Sequence, residues 1–303
     1  MIKRTLYFGN PAYLCLRDNQ LVVKKKDGEP KTVPVEDVGF IILDSPQVTI
    51  SCALLSFLTK NNCAVISCDS KHLPSGLFLP LAGNSLQSER FRHQIEASLP
   101  LKKQLWQQTV QQKILNQASV LQLRRKCPVK ILFSCAGNVR SGDADNREAV
   151  AAAYYWKQLF PLLESFTRDR FGVPPNNIFN YGYAILRGVV ARSLVASGLL
   201  PTFGIHHSNR YNAYCLADDI MEPYRPIVDK LIIEKLDGMK EIPAELSREL
   251  KISLLEIPIL DTRIGGKRSP LMNAVSLTTN SLYRCFAGES RKLLYPEVVD
   301  GAV

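Results

Sequence analysis

The chain has 303 residues, room for two domains of ~100–200 residues each. With 46% hydrophobic and 22% charged residues it can bury a core, which excludes wholesale disorder. Its 38 Lys and Arg against 28 Asp and Glu leave +10, a surplus that points to a polyanionic partner rather than to any fold.

The first 75 residues read as β. Short alternating apolar runs occur at 5–8, 13–16, 21–23, 38–43 and 64–67, with Asp18-Asn19 and Asp27-Gly28 as hairpin turns. One short helix interrupts them at 51–60, where Leu54, Leu55 and Leu58 recur at helical spacing. The Pro- and Gly-rich stretch around Pro74, Gly76 and Gly83 predicts a linker over 76–87. From residue 88 the period changes to 3.6. Leu101, Leu105, Val110, Ile114, Leu115, Ala118 and Leu121 mark one long helix, 143–159 a second ended by Pro161, and 177–199 a third. Helices at 213–222 and 227–236 follow, separated by Pro223 and Pro226, and the tail 240–303 looks helical in patches. The expectation is an α+β protein: a small β-sandwich-like domain at 1–75, the linker, and a larger all-α domain at 88–303.

The opening residues carry no apolar h-region, and the longest apolar helix candidate, 180–201, contains Arg187 and Arg192. The protein is therefore expected to be cytoplasmic with no membrane span. Its eight cysteines form no C-x-x-C pair and sit mostly in apolar runs, as buried free thiols do.

The surplus charge is concentrated. Residues 97–142 hold Lys102, Lys103, Lys113, Arg124, Arg125, Lys126, Lys130 and Arg140 and no acid, so +8 of the +10 lies in 46 residues. A solvated helix face normally mixes signs to gain i,i+4 pairs. Without nearby acids, these eight are candidate contacts to a nucleic-acid backbone.

Chemistry-bearing residues cluster later. His206 and His207 are adjacent; Asp219 stands twelve residues after His207, and Glu222 three further on. Positions i and i+3 share a helix face, so two carboxylates and an imidazole can converge, a donor set that suits Mg2+ or Mn2+. Glu148 heads a segment of small residues (Ala149, Ala151, Ala152, Ala153) that lets another helix come close. Each signal has an ordinary alternative: an Asp-x-x-Glu pair as a solvated face, and Glu148 as a first-turn acid after Asp143 or Asp145 as cap.

Four ordered blocks carry a resemblance. Glu-x-x-Ala-Ala-x-x-Tyr-Trp from Glu148, Asn-Tyr-Gly-Tyr-Ala-Ile-Leu-Arg at 180–187, Gly-Leu-Leu-Pro…Gly-Ile-His-His, and Leu-Ala-Asp-Asp-Ile-Met-Glu-Pro-Tyr-Arg-Pro resemble the CRISPR-associated integrase, the spacer-acquisition subunit of prokaryotic adaptive immunity. The wording is closest to the branch that accompanies a single-protein RNA-guided nuclease. The resemblance implies a metal-dependent DNA endonuclease and integrase with Glu148, His207 and Glu222 as catalytic metal ligands. His206, Asp219 and Arg225 then support them, Arg225 near the scissile phosphate. It further implies Mg2+ or Mn2+, double-stranded DNA (prespacer and repeat array), a homodimer built on the β domain, and a small ferredoxin-like partner in a heterohexamer. The RNA-guided effector nuclease is a further candidate partner. No Gly-x-x-x-x-Gly-Lys-Ser/Thr loop occurs, in keeping with phosphodiester exchange that needs no nucleotide. Two other functions fit the residues: a repair or recombination nuclease that never integrates, and a non-catalytic DNA-bridging scaffold.

Overall fold

The computed structural model describes residues 3–161, 166–237, 239 and 241–300. The chain divides into two compact units, Met1–Ser85 and Leu86–Val303, the first strand-rich and the second mostly helical.

The first unit contains β1 (Arg4–Phe8), β2 (Ala12–Arg17), β3 (Gln20–Lys24), β4 (Lys31–Pro34), β5 (Val38–Leu43), β6 (Val48–Ile50), α1 (Cys52–Lys60), β7 (Ala64–Cys68) and β8 (Pro74–Phe78). Local turn chemistry sets one half of it. Asp18 and Asn19 both adopt positive φ, 50° and 59°, as a two-residue turn matching strand twist requires, and they join β2 to β3 as an antiparallel hairpin. The resulting sheet has the order β4-β3-β2-β6. The other sheet, β1-β5-β7-β8, contains two parallel pairs, β1 with β5 and β5 with β7. Parallel neighbours need long crossovers, and α1, capped by the Ser51 hydroxyl, lies within the connection from β5 to β7. Leu14 and Leu21 of one sheet, Ile41 and Val65 of the other, and Leu54 and Leu58 of α1 share one core. Each such side chain, wholly withdrawn from water, contributes about 1.5–3 kcal/mol. Strand β8 falls across the start of the segment expected as linker: Ile66 pairs with Leu77, so backbone hydrogen bonding overrides the breaker composition there.

The second unit contains α2 (Gln87–Glu96), α3 (Leu99–Arg125), α4 (Lys130–Gly137), α5 (Arg147–Leu159), α6 (Asn176–Ala196), α7 (Cys215–Met221), α8 (Arg225–Asp237), α9 (Arg248–Leu254) and α10 (Leu271–Phe286). It also holds β9 (Asp261–Ile264), β10 (Lys267–Pro270) and β11 (Glu297–Val298). The 27-residue α3 is capped by Ser98 and ends at Lys126, in left-handed conformation. Helix α6 is buried along most of its length, and Gly182 brings it close to α8: an added Cβ would lie 3.0 Å from Val228 Cγ1. Three departures from the expected elements matter. The helix expected from 143 begins at Arg147, because Gly142, Asp143 and Asn146 take positive φ and form a tight entry turn. The helix expected over 213–222 ends at Met221, and Glu222–Tyr224 form a 3-10 turn that passes into α8. The tail is not only helical: β10, β9 and β11 form a small sheet around the Gly265-Gly266 turn. No disulfide joins any of the eight cysteines, and Cys63, Cys135, Cys215 and Cys285 are buried. Among the described residues no helix is long and apolar enough to cross a membrane.

Candidate active site

Helices α3, α5 and α7 and the turn after α7 bring the acidic and histidine residues to one place in the second unit. Glu148 is held by the start of α5. The carboxylate of buried Asp143 accepts from the Arg147 and Glu148 backbone N–H groups, at 2.8 and 3.0 Å. It satisfies two of the donors that a helix start leaves open. Of the small residues that follow Glu148, Ala151 is fully buried and Ala152 partly so, while Ala149 and Ala153 are exposed.

Asp219 organises the histidines. It is wholly buried, and its Oδ2 accepts the backbone N–H groups of Ile205 and His206 at 2.7 and 2.9 Å. Its Oδ1 accepts the His207 N–H at 3.2 Å and also bonds the His207 ring through Nδ1. The loop can wrap a carboxylate this tightly only because Gly204 lacks a side chain. A Cβ there would stand 2.3 Å from the His207 carbonyl oxygen and 2.6 Å from Asp219 Oδ2. With Nδ1 engaged, Nε2 is the nitrogen of His207 left to act, the usual arrangement of a metal-binding imidazole backed by a carboxylate. The Asp219 hydrogen bond raises the His207 pKa; burial opposes it, and the charges of Asp219, Glu222 and Glu148 add to the rise. His206 turns away and stacks on Trp106, ring centroids 4.1 Å apart and planes within 2°. The same indole meets His207 edge-on at 5.7 Å.

The carboxylates meet at a lysine. Lys113 Nζ lies 2.5 Å from Glu148 Oε1 and 2.6 Å from Glu222 Oε2, and Arg225 Nη2 lies 3.1 Å from Glu222 Oε1. Burial alone would raise the pKa of Glu222; Arg225 and Lys113 outweigh it and hold the carboxyl below its ordinary value. Lys113 in turn, though burial disfavours its charge, is held above its ordinary value by Glu222 and Glu148. Glu222 Oε2 is buried, with this ammonium beside it and no aligned hydrogen-bond donor. Two carboxylates converging on one cation, with an imidazole close enough to feel both, fit a divalent ion by donor chemistry. As placed, no three His, Cys, Asp or Glu side chains among the described residues form a ready metal cage, because the Lys113 ammonium stands between the glutamates.

The basic stretch is reinterpreted. Lys113 is buried in the site rather than displayed for a backbone. Arg124 pairs with Glu234, and Arg125 makes a two-pronged bond to Asp237, both contacts at 2.9 Å. Acids from α8, more than a hundred residues later, supply the opposite charge that the local sequence lacks. Arg140 pairs with Asp145 at 3.3 Å and stays exposed. Among the described residues Lys102, Lys103, Lys126 and Lys130 have no ion-pair partner, and only Lys102 of the four is partly covered. Of the two caps the sequence offered for α5, the structure selects Asp143. Sequence reasoning missed Trp106, the steric role of Gly204, and Asp229, which is buried and accepts from Tyr183 OH at 2.6 Å and Tyr155 OH at 3.0 Å. Two of these carried a signal: Trp106 is one of only two tryptophans, and both tyrosines lie inside the quoted blocks.

Comparison with known proteins identifies the family. The model of the family "CRISPR associated protein Cas1" matches residues 6–240. The CRISPR-associated endonuclease Cas1 of Neisseria meningitidis is 40% identical over 99% of this chain and 97% of its own length. Among solved structures, a casposase bound to integration product superposes with a TM-score of 0.78 at 18% identity, over 97% of this chain and 92% of that one. A chain of a Cas6-RT-Cas1–Cas2 complex superposes with a TM-score of 0.73 at 19% identity, over 98% of this chain and 36% of the other. Both structural likenesses speak to fold. The family match and the full-length relative speak to descent: the chain belongs to the CRISPR-associated Cas1 family.

Proposed function

We propose that this protein is a metal-dependent DNA integrase and endonuclease of CRISPR adaptation, which inserts short duplex DNA into a repeat array. The observation that carries the proposal is the convergence of Glu148 and Glu222 on one cation beside His207, in a chain of this family. Glu148, Glu222 and Nε2 of His207 would hold Mg2+ or Mn2+. Such an ion, when bound, polarises a phosphate and stabilises a departing oxygen. Asp219 fixes the ring orientation and tautomer of His207, and Trp106 backs both histidines. Arg225, paired with Glu222, keeps that carboxylate ionised and lies where a phosphate would approach it. In the reaction, a DNA 3′-hydroxyl attacks a backbone phosphorus and another 3′-oxygen leaves with the proton, so one phosphodiester replaces another. With water as nucleophile the same site cleaves DNA.

Lys102, Lys103, Lys126, Lys130 and Arg140 would hold duplex backbone without reading sequence, as an enzyme accepting arbitrary spacers requires. Homodimerisation through the strand-rich unit and assembly with a Cas2-type partner belong to the same proposal. The Cas6-RT-Cas1–Cas2 complex supports the partner. The test is half-site integration of a labelled duplex into a repeat plasmid with Mn2+ and the partner present. His207→Ala should abolish joining while duplex binding persists; undiminished joining would sink the site assignment. Cleavage without any joined product would favour a nuclease that does not integrate.

A further inference from the structure

Beside the carboxylates, on the far side of Lys113 and Arg225, lies a cavity of about 50 Å3, walled by these two residues together with Gln117, Arg168, Tyr183 and Asp229. Three of its six polar walls are cationic, and their bonding is incomplete. The Nε of Arg168, the Nε of Arg225 and Oε1 of Gln117 are buried without a hydrogen-bond partner among the described residues. Buried donors with nothing to donate to call for a partner that the chain itself does not supply, an ordered water or an arriving group. The Gln117 amide is symmetric in shape, so a half-turn presents its NH2 in place of the orphaned oxygen.

Arg168 is the informative residue. Its two terminal nitrogens donate to the side-chain amides of Asn176 and Asn180, at 2.9 and 2.7 Å. Those acceptors are neutral, and among the described residues Arg168 has no carboxylate within ion-pairing distance. Its guanidinium stacks over Tyr183, 5.1 Å from the ring centroid, and Arg225 lies over the same ring at 4.9 Å. Two guanidinium groups on one ring repel each other unless an anion joins them. Glu222 pairs with Arg225 and not with Arg168. The acid that lines the cavity does not join the two either: both Asp229 oxygens are taken by tyrosine hydroxyls, and burial pushes its pKa up to about 7, despite those hydroxyls, so it is far from fully charged at neutral pH. The cavity is too small for a base or a sugar and suits the oxygens of one phosphate group.

We infer that this cavity is a second phosphate subsite, in which Arg168, with Arg225, Lys113 and Gln117, grips the backbone phosphodiester next to the one that reacts. The inference rests on the proposed function, since Arg225 and Lys113 reach the reacting site from one side and the cavity from the other. A strand seated at both points is fixed in register relative to the carboxylates, and Arg168 acts as a positioning residue.

Duplex binding by the full chain, followed by fluorescence anisotropy across a salt series, tests this. Arg168→Gln should lower the slope of log K against log salt by about 0.9, the value of one phosphate contact, and weaken binding about ten-fold at low salt. A scan of single neutral methylphosphonates should find one position, other than the reacting phosphate, that weakens wild-type binding about ten-fold and leaves Arg168→Gln unaffected. Arg168→Lys, which keeps the charge without the fork, guards against misfolding and should retain the slope. Equal slopes and equal methylphosphonate profiles in wild type and Arg168→Gln would overturn the subsite and leave water as its occupant. Inorganic phosphate raising the Tm of wild type alone, with duplex binding indifferent to Arg168, would also overturn it. Loss of all duplex binding by the wild type would overturn the proposed function, and the subsite with it.

Discussion

Replacing Asp219 by Asn removes one acceptor oxygen from a place that uses both. Oδ2 serves two backbone N–H groups, and Oδ1 serves a third together with the His207 ring. An NH2 in place of Oδ2 faces two backbone donors, whereas in place of Oδ1 it faces one, because the His207 ring can change tautomer and accept from it. Each orphaned buried donor costs about 1–3 kcal/mol, so the loop should lose about 1–3 kcal/mol in the better orientation of the amide and about 2–6 kcal/mol in the other, toward the lower end where it can open to water. His207 also loses the hydrogen bond that is the main cause of its raised pKa. A histidine whose folded pKa is raised adds stability that is fully present below the ordinary value near 6.5 and vanishes as pH rises through the folded pKa. The gap between wild type and Asp219→Asn should therefore be widest in mild acid and narrow above the folded pKa, down to the floor set by the orphaned donors. Urea unfolding in EDTA from pH 5 to 9 measures the gap, and NMR titration of the ring measures the pKa. An unchanged His207 titration with unchanged unfolding midpoints would refute the placement of Asp219 as the residue that holds this loop.

Lys113→Met strips the ammonium from between two glutamates, one of them fully buried, and should destabilise the metal-free protein by about 3–5 kcal/mol. Because the competing cation is gone, Mn2+ should raise the Tm of the variant more than that of wild type; equal shifts in calorimetry would argue against a shared position. Asp143→Ala leaves the first two α5 N–H groups open and should cost about 0.5–2 kcal/mol in chemical denaturation. An unchanged midpoint would mean that water replaces the cap without loss. Asp229 should give a pH signature of the opposite sense to a paired carboxylate. Its folded pKa is raised to about 7 from 3.8, so the folded state holds the extra proton and stability falls as pH rises between those values. At about 1.4 kcal/mol per unit the loss is at most about 4 kcal/mol. Asp229→Asn should flatten that part of the stability curve, and an identical slope in the variant would show that the carboxyl is ionised throughout.

Much of the site was legible because its residues are local or belong to long specific blocks. The i,i+3 spacing of Asp219 and Glu222 runs across the end of a helix into a 3-10 turn, and the two carboxylates divide: Asp219 holds the His207 loop while Glu222 meets Lys113 and Arg225. Helix α1 was legible for the same reason, with Ser51 as a recognisable cap. What could not be read depends on partners distant in sequence. Nothing near Lys113 says that it will be buried against Glu148 and Glu222, 35 and 109 residues away. Arg124 and Arg125 look unpaired until α8 brings Glu234 and Asp237 beside them. Strand β8 was hidden under a Pro- and Gly-rich composition because pairing with β7, not local propensity, makes it a strand. The β9–β10 hairpin escaped notice as well, its diglycine turn being flanked by strands of only four residues.

The division of charge within the basic stretch follows from what the carboxylates need. Two glutamates brought together without a counter-charge would repel, and burial would raise at least one of them out of its ionised form. A site that must present both as carboxylates has to carry its own cations, and Lys113 and Arg225 do so here: Glu222 is fully buried yet stays below its ordinary pKa. Under the proposed function, the cost would be that a divalent ion competes with this internal lysine. The compensation, under the same proposal, would be a buried Glu222 already ionised when a metal binds. One lysine of the stretch thus serves the chemistry and two arginines bind helix α3 to α8, leaving Lys102, Lys103, Lys126, Lys130 and Arg140 as the surface set. Charge reversal at Lys102 and Lys103 should therefore flatten the salt dependence of DNA binding without altering Tm, whereas reversal at Arg124 or Arg125 should lower Tm first. If all four reversals behaved alike, the separation of buried from displayed charge within this stretch would be wrong.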